Sequence, residues 1–179
     1  MRLTRHETAA FIVATDPAFA PLVAAVGPPP ARRRARVLSL LEHDVTIDAV
    51  RGLRVEDLRG AGLSRTKAEA MLELADFASS GRITLARHGY MDDAAVVRDV
   101  TQVRGIGPWT AQMYLMFTLA RHDVWPTGDF GVRHGWSVIH GLAENITEAD
   151  LAVAGEPFVG VRSALADYCW AAVDEEGWQ

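Results

Sequence analysis

Residues 108–121 carry apolar side chains on nearly every face of a predicted helix. Two stripes run along it, one formed by Ala111, Tyr114, Leu115 and Leu119 and the other by Met113, Met116, Phe117 and Ala120. A helix that is apolar all round is buried at the centre of a helical domain. We therefore expect the Met and Phe side chains of this segment to lie in the core.

The segments on either side of this run also have helical patterns. Residues 92–100 read as a short helix, and a new helix opens at Asp129 and continues to Val138. Capping residues predict further helix starts at Thr4, in a Thr-x-x-Glu box, and near Glu148. The pattern as a whole predicts an all-α protein.

A glycine hairpin joins the predicted helix at 92–100 to the predicted helix at 108–121. Gly105 and Gly107 flank Ile106, and Pro108 suits the first position of the following helix because it lacks an N–H. The glycines allow a tight turn, and they let the N–H groups near Gly105, Gly107 and Thr110 approach an anion at the helix N-terminus. An ordinary helix-turn-helix link is the alternative interpretation.

Asp129 follows two residues that interrupt helices, Pro126 and Gly128. Its position predicts a helix cap, with the carboxylate accepting N–H groups of the first turn. The helix dipole favours the ionised form of such a carboxylate. A fixed, ionised carboxylate can stabilise a cationic transition state.

The motifs GIGPWTA and D-V-W-P-x-x-D-x-G resemble the helix-hairpin-helix, Gly/Pro-Asp superfamily of DNA glycosylases, and in particular its 3-methyladenine DNA glycosylase II branch. The opening DPAFAPLVAAVGPPP, the segment GLSRTKAEAMLELA and the tail RSALADYCW are similar to other parts of that branch. The resemblance implies a two-lobed helical bundle with a cleft between the lobes. It also implies excision of alkylated purines such as 3-methyladenine from double-stranded DNA by base flipping.

The resemblance makes Asp129 the catalytic carboxylate, which stabilises an oxocarbenium-like sugar. Lyase-active relatives carry a lysine where this chain has Trp109, so we expect a monofunctional enzyme without strand cleavage. Trp109 is expected to stack on the extruded base, with Met113 and Trp125 in the same pocket. For Trp109 and Met113, a place in the core is the alternative.

The resemblance places Arg65, Lys67 and Arg104 toward DNA phosphates, together with Gly105, Gly107 and Thr110. The formal net charge is −5, which argues against indiscriminate nucleic-acid binding. A basic run at residues 32–36 adds a second cluster of positive charge. Such runs are more often solvated surface than binding sites.

Composition bounds the remaining expectations. A chain of 179 residues with 49% hydrophobic content suits one domain over residues 1–179, with the hairpin at about 92–121 and a catalytic loop at about 122–131. Its single cysteine, Cys169, excludes a four-cysteine iron-sulfur cluster, and no histidine spacing predicts a metal held by side chains. Binding of a monovalent cation by the backbone carbonyls of the hairpin is a further hypothesis. We expect a monomeric cytoplasmic protein that binds damaged duplex DNA and no membrane.

One departure from the family supports a second hypothesis. Members of the branch usually carry a Q-Q-[LI]-S-like motif between the opening segment and the GLS segment, and residues 31–61 contain no glutamine pair. The alternative is a catalytically weak or inactive DNA-binding module that kept the hairpin. A helical protein-interaction domain is a third hypothesis.

Overall fold

A computed structural model describes residues 4–21, 40–41 and 45–176 of the chain. This part is helical and contains no strand, which confirms the predicted all-α class. The α-helices are α1 (Arg5–Thr15), α2 (Ile47–Arg51), α3 (Val55–Gly60), α4 (Arg65–Ser79), α5 (Asp93–Val100), α6 (Pro108–Phe117), α7 (Phe130–Ile139), α8 (Glu148–Ala154) and α9 (Arg162–Glu176). Single 3-10 segments occupy Pro17–Phe19, Leu85–Tyr90 and Glu156–Phe158.

The chain divides into two compact units, one formed by residues 1–28 and 112–179 and the other by residues 29–111. The single domain and the cleft between lobes stay predictions. The basic run at 32–36 lies outside the described residues. No helix in the described ranges is long and apolar enough to span a membrane.

The unit of residues 29–111 has two small hydrophobic clusters. One gathers Leu41, Val50 and Ala75, where α2 packs on α4. The other gathers Ala70, Ile83 and Val103, so that it joins α4 to the start of the hairpin. Burial of these side chains holds the hairpin against α4.

The other unit is built around aromatic rings and the contact between α7 and α9. Trp136 of α7 lies 5.7 Å from the Phe19 ring and 6.3 Å from the Phe158 ring, measured between centroids. Gly135 lies directly against the backbone of Cys169 in α9, and a Cβ there would stand 2.5 Å from the Cys169 carbonyl carbon. Glycine therefore sets how closely these two helices pack.

The predicted helix starts are confirmed. Thr4 forms the reciprocal capping box with Glu7, Thr147 caps α8, and Asp129 caps α7. Pro108 is the first residue of α6, and α5 covers the predicted helix at 92–100.

The predicted end of the central helix is wrong. The apolar pattern extends to Arg121, but α6 ends at Phe117, and the chain reverses through Ala120 at φ 51°. The Arg121 N–H then donates to the Leu115 carbonyl at 2.9 Å. Glycine or asparagine usually occupies such a left-handed position, so an alanine in the sequence does not indicate that the helix ends there.

The prediction that every Met and Phe of this helix is core is also wrong for Phe117. Its side chain is 61% exposed, whereas Met116 is buried as expected. A helix that is apolar on all faces has no polar side to identify the exposed positions, so the sequence pattern could not distinguish the two.

Candidate active site and nucleic-acid interface

The hairpin between α5 and α6 is a tight turn with glycine at its strained position. The Ile106 N–H donates to the Val103 carbonyl at 3.1 Å, and Gly105 has φ 93°. A positive φ at the third turn residue strongly favours glycine. Thr66 and Ala70 of α4 would each lie 3.3 Å from a Cβ at Gly105. Both the backbone conformation and the space therefore favour glycine.

The two predicted phosphate-binding arginines, Arg65 and Arg104, lie in or beside this turn. The Arg65 guanidinium is 3.7 Å from the Glu69 carboxylate, and the Arg104 guanidinium is 3.9 Å from the same carboxylate. The Arg104 N–H donates to Glu73 at 2.8 Å. The structure thus brings Arg65 and Arg104 together around Glu69, and it places Lys67, which is exposed, in the first turn of α4.

The first turn of α6 presents exposed side chains. Trp109 is 52% exposed and Thr110 is also exposed, while the Ala111 N–H donates to the Gly107 carbonyl at 3.1 Å. Gly107 therefore closes the first helical turn. The indole of Trp109 has the exposure that a stacking residue requires, but its role stays a prediction.

The loop that precedes Asp129 is tied to the start of α9. Arg162 donates two hydrogen bonds to the Asp123 carboxylate, at 2.6 and 2.7 Å. Ser163 accepts the Val124 N–H at 3.0 Å and donates to the Arg121 carbonyl at 2.8 Å. These contacts hold both ends of residues 121–124, so hydrogen bonds fix the start of the predicted catalytic loop.

The pKa of Asp123 reflects this pairing. Burial of the carboxyl would raise it, but hydrogen bonds and attraction from Arg162, with a backbone hydrogen bond from Gly160, lower the pKa of Asp123 below its ordinary value. The hydrogen bond from the guanidinium to Asp123 raises the pKa of Arg162 in turn. The pair is therefore ionised at neutral pH.

Trp125, which the resemblance assigns to the base pocket, lies in the core instead. Its side chain is 9% exposed, and its indole N–H donates to the Leu151 carbonyl at 2.9 Å. Its ring stands at an angle of 72° to the Trp136 ring. These contacts are typical of a packing residue and do not support a place for Trp125 in a base pocket. Met113 is half-buried on α6.

Asp129 is a half-buried carboxylate that receives two donors on one oxygen. The Val132 N–H donates to Oδ1 at 2.8 Å, as the predicted helix cap requires. The Trp170 indole Nε1–H donates to the same Oδ1 at 2.9 Å. Trp170 belongs to the tail motif, but no sequence pattern assigns it a role. Its partner lies 41 positions away, and only the folded chain shows the contact.

No group of three or more His, Cys, Asp or Glu side chains is placed to hold a metal ion within residues 4–21, 40–41 and 45–176. The expectation about cofactors stays a prediction.

Known proteins are similar to this chain in sequence and in fold. The chain is 31% identical over 126 residues to DNA-3-methyladenine glycosylase 1 of Schizosaccharomyces pombe, covering 70% of this chain and 55% of that protein. It is 32% identical over 87 residues to a putative DNA-3-methyladenine glycosylase of Bacillus subtilis, covering 49% of this chain and 30% of that one. The chain thus spans about half, or less, of the length of these relatives. No protein-family model matches it.

The fold has close counterparts among solved structures. A Schizosaccharomyces pombe 3-methyladenine DNA glycosylase in complex with abasic DNA superposes with a TM-score of 0.75 at 23% identity, covering 91% of this chain and 94% of that one. This likeness shows the fold, and the sequence relatives carry the same family description. The chain therefore belongs to the helix-hairpin-helix superfamily of DNA glycosylases.

Proposed function

We propose that this protein excises alkylated purines, such as 3-methyladenine, from double-stranded DNA. The bond between the base and the C1′ carbon of deoxyribose breaks, and its electron pair leaves with the base. Water then adds to C1′ and loses a proton, so that an abasic site remains. The 3-methyladenine glycosylase names of the sequence relatives support this substrate class.

The observation that carries the proposal is the fixed carboxylate of Asp129. Breaking a glycosidic bond develops positive charge on the sugar, which a nearby carboxylate stabilises. Two hydrogen bonds hold Oδ1 of Asp129, at 2.8 and 2.9 Å, so the group is oriented before substrate arrives. A group that is already in place has little reorganisation to undergo as the charge develops.

Trp109 supports hydrolysis over lyase chemistry. Covalent attack on the sugar requires an amine, and an indole nitrogen cannot form a Schiff base. The exposed indole instead offers an electron-rich face, which attracts a base that carries positive charge from alkylation.

The hairpin and α4 supply the proposed contacts to the DNA backbone. The Glu69 carboxylate lies 3.7 Å from Arg65 and 3.9 Å from Arg104, and these three side chains are partly to largely exposed. Exposed ion pairs are worth about 0–1 kcal/mol, so they present little barrier to a competing phosphate. The hairpin glycines let a phosphate approach the backbone N–H groups, and Lys67 adds a further positive charge.

The test is base release from a duplex that contains one 3-methyladenine, followed by chromatography of the free base. We expect release from this duplex and none from an unmodified control. Asp129→Asn, purified in parallel, controls for contaminating glycosylases. Binding of the damaged duplex without any release would refute the proposed activity and favour the DNA-binding module.

A further inference from the structure

Trp170 and Asp129 form a contact that the helix cap alone does not require. The cap needs only the Val132 N–H, which already lies 2.8 Å from Oδ1. Trp170, the ninth residue of α9, adds a second donor to that same oxygen at 2.9 Å. With both donors on Oδ1, the carboxylate cannot rotate about its Cβ–Cγ bond without breaking at least one hydrogen bond.

Gly131 provides the space for this contact. A Cβ on Gly131 would lie 2.8 Å from Cδ1 and 3.1 Å from Nε1 of Trp170, and 3.1 Å from Oδ1 of Asp129. The backbone gives no other reason for glycine here, because Gly131 does not have a positive φ. Glycine in a helix costs about 1 kcal/mol relative to alanine. The chain thus carries a destabilising residue where a side chain would push the indole from the carboxylate.

Phe117 covers the indole from another side. Its ring centroid lies 5.9 Å from that of Trp170, with the planes inclined by 33°. Phe117 is 61% exposed and Trp170 is half-buried, and the contact between the two rings restricts movement of the indole.

We propose that Trp170 is the positioning residue for the Asp129 carboxylate, and that Gly131 is required because it leaves room for the indole. The inference rests on the proposed function, in which Asp129 stabilises the sugar cation. An indole N–H exchanges no proton with substrate at neutral pH, so Trp170 acts through the orientation of Asp129.

The first test replaces the donor and keeps a ring. Trp170→Phe should lower the single-turnover rate of base release by about tenfold or more, since misplacing a reacting group by about 1 Å costs about 100-fold. Its Kd for a duplex with an abasic site should change less than about threefold. Trp136→Phe is the matched control, because it removes an indole from the same unit without touching Asp129, and its release rate should equal that of the wild type. A wild-type rate in Trp170→Phe would overturn the inference.

The second test does not depend on activity. The Nε1–H resonance of Trp170, followed in 15N-labelled protein, should move when Asp129→Ala removes the acceptor. It should move in the same direction in Gly131→Ala, where the new methyl group displaces the indole. Unchanged resonances in both variants would show that the hydrogen bond is absent in solution, which would also overturn the inference.

The two proposals fail in distinguishable ways. If the wild type releases no base, the proposed function is wrong, and the resonance shifts still decide whether Trp170 holds Asp129. If the wild type releases base and Trp170→Phe does so equally fast, the function stands and the positioning role is wrong.

Discussion

Replacing Gly135 with alanine should destabilise the protein, although alanine is the better helix former. On helix propensity alone the change would add about 1 kcal/mol of stability. The new Cβ, however, would lie 2.5 Å from the carbonyl carbon and 2.9 Å from the Cα of Cys169. These neighbours are backbone atoms, which cannot turn aside as a flexible side chain can.

The size of the effect follows from the shift that the methyl group needs. Ordinary contact begins at 3.4 Å, so the carbonyl carbon alone would require α7 and α9 to separate locally by 0.9 Å, and the Cys169 carbonyl oxygen, which lies closer still to the new Cβ, makes this a minimum. A gap of 0.5–1 Å forfeits roughly a quarter to a half of the dispersion well. Val132 and Trp136 of α7 and Leu165 and Cys169 of α9 are buried. If each loses about a quarter of some 2 kcal/mol, the loss is about 2 kcal/mol.

Strain from overpacking adds about 1–3 kcal/mol. After the gain of about 1 kcal/mol in propensity, we expect Gly135→Ala to lower the free energy of unfolding by at least about 2 kcal/mol. Urea denaturation at 25 °C, followed by far-UV circular dichroism, measures the change. Gly60→Ala is the matched control, because Gly60 ends α3 and a Cβ added there would have no atom within 4 Å. A Gly135→Ala protein as stable as the wild type would refute this account of the α7–α9 contact.

Three further predictions concern the site and its supports. Borohydride should trap no covalent adduct with abasic DNA, because Trp109 offers no amine; a trapped adduct would contradict hydrolysis. Asp123→Asn should cost about 1–3 kcal/mol of unfolding free energy at pH 7. Pairing with Arg162 lowers the pKa of Asp123, so the difference in unfolding free energy between wild type and variant should be complete above about pH 4. The difference should vanish as the pH falls through the pKa of Asp123 in the folded protein. Denaturation measured across this pH range would contradict the prediction if the difference stayed constant. Burial raises the pKa of the Cys169 thiol, so a thiol reagent should label it only after unfolding, and rapid labelling of native protein would be the opposite result.

Features that depend on local chemistry could be predicted from the sequence. The helix-breaking residues before Asp129 predict that it caps a helix, and the Val132 N–H does donate to the Asp129 carboxylate. Gly105 is predicted to allow a tight turn, and its φ is positive. Caps and turns are decided by a few adjacent residues, which is why a single sequence can indicate them.

Features that depend on distant partners were not predictable in this way. The second donor to Asp129 comes from Trp170, and the partner of Asp123 comes from Arg162, each about forty positions along the chain. The contacts of Trp125 also depend on residues that are distant in sequence. It stands near Asp129 in sequence, but its indole N–H binds Leu151 in α8 and its ring packs on Trp136. The resemblance assigned Trp125 to the base pocket, and only the folded chain shows that its ring is buried among these partners.

The single-turnover rate of 3-methyladenine release by Asp129→Asn, compared with the wild type, tests the central claim most directly. Asparagine keeps a side-chain oxygen for the Val132 and Trp170 donors, removes the negative charge and replaces the other carboxylate oxygen with an NH2 group. Loss of one electrostatic group that stabilises a transition state typically costs about 100-fold to 1000-fold. We predict a fall of at least about 100-fold, with unchanged affinity for abasic duplex. An Asp129→Asn protein that releases the base at the wild-type rate would contradict the account.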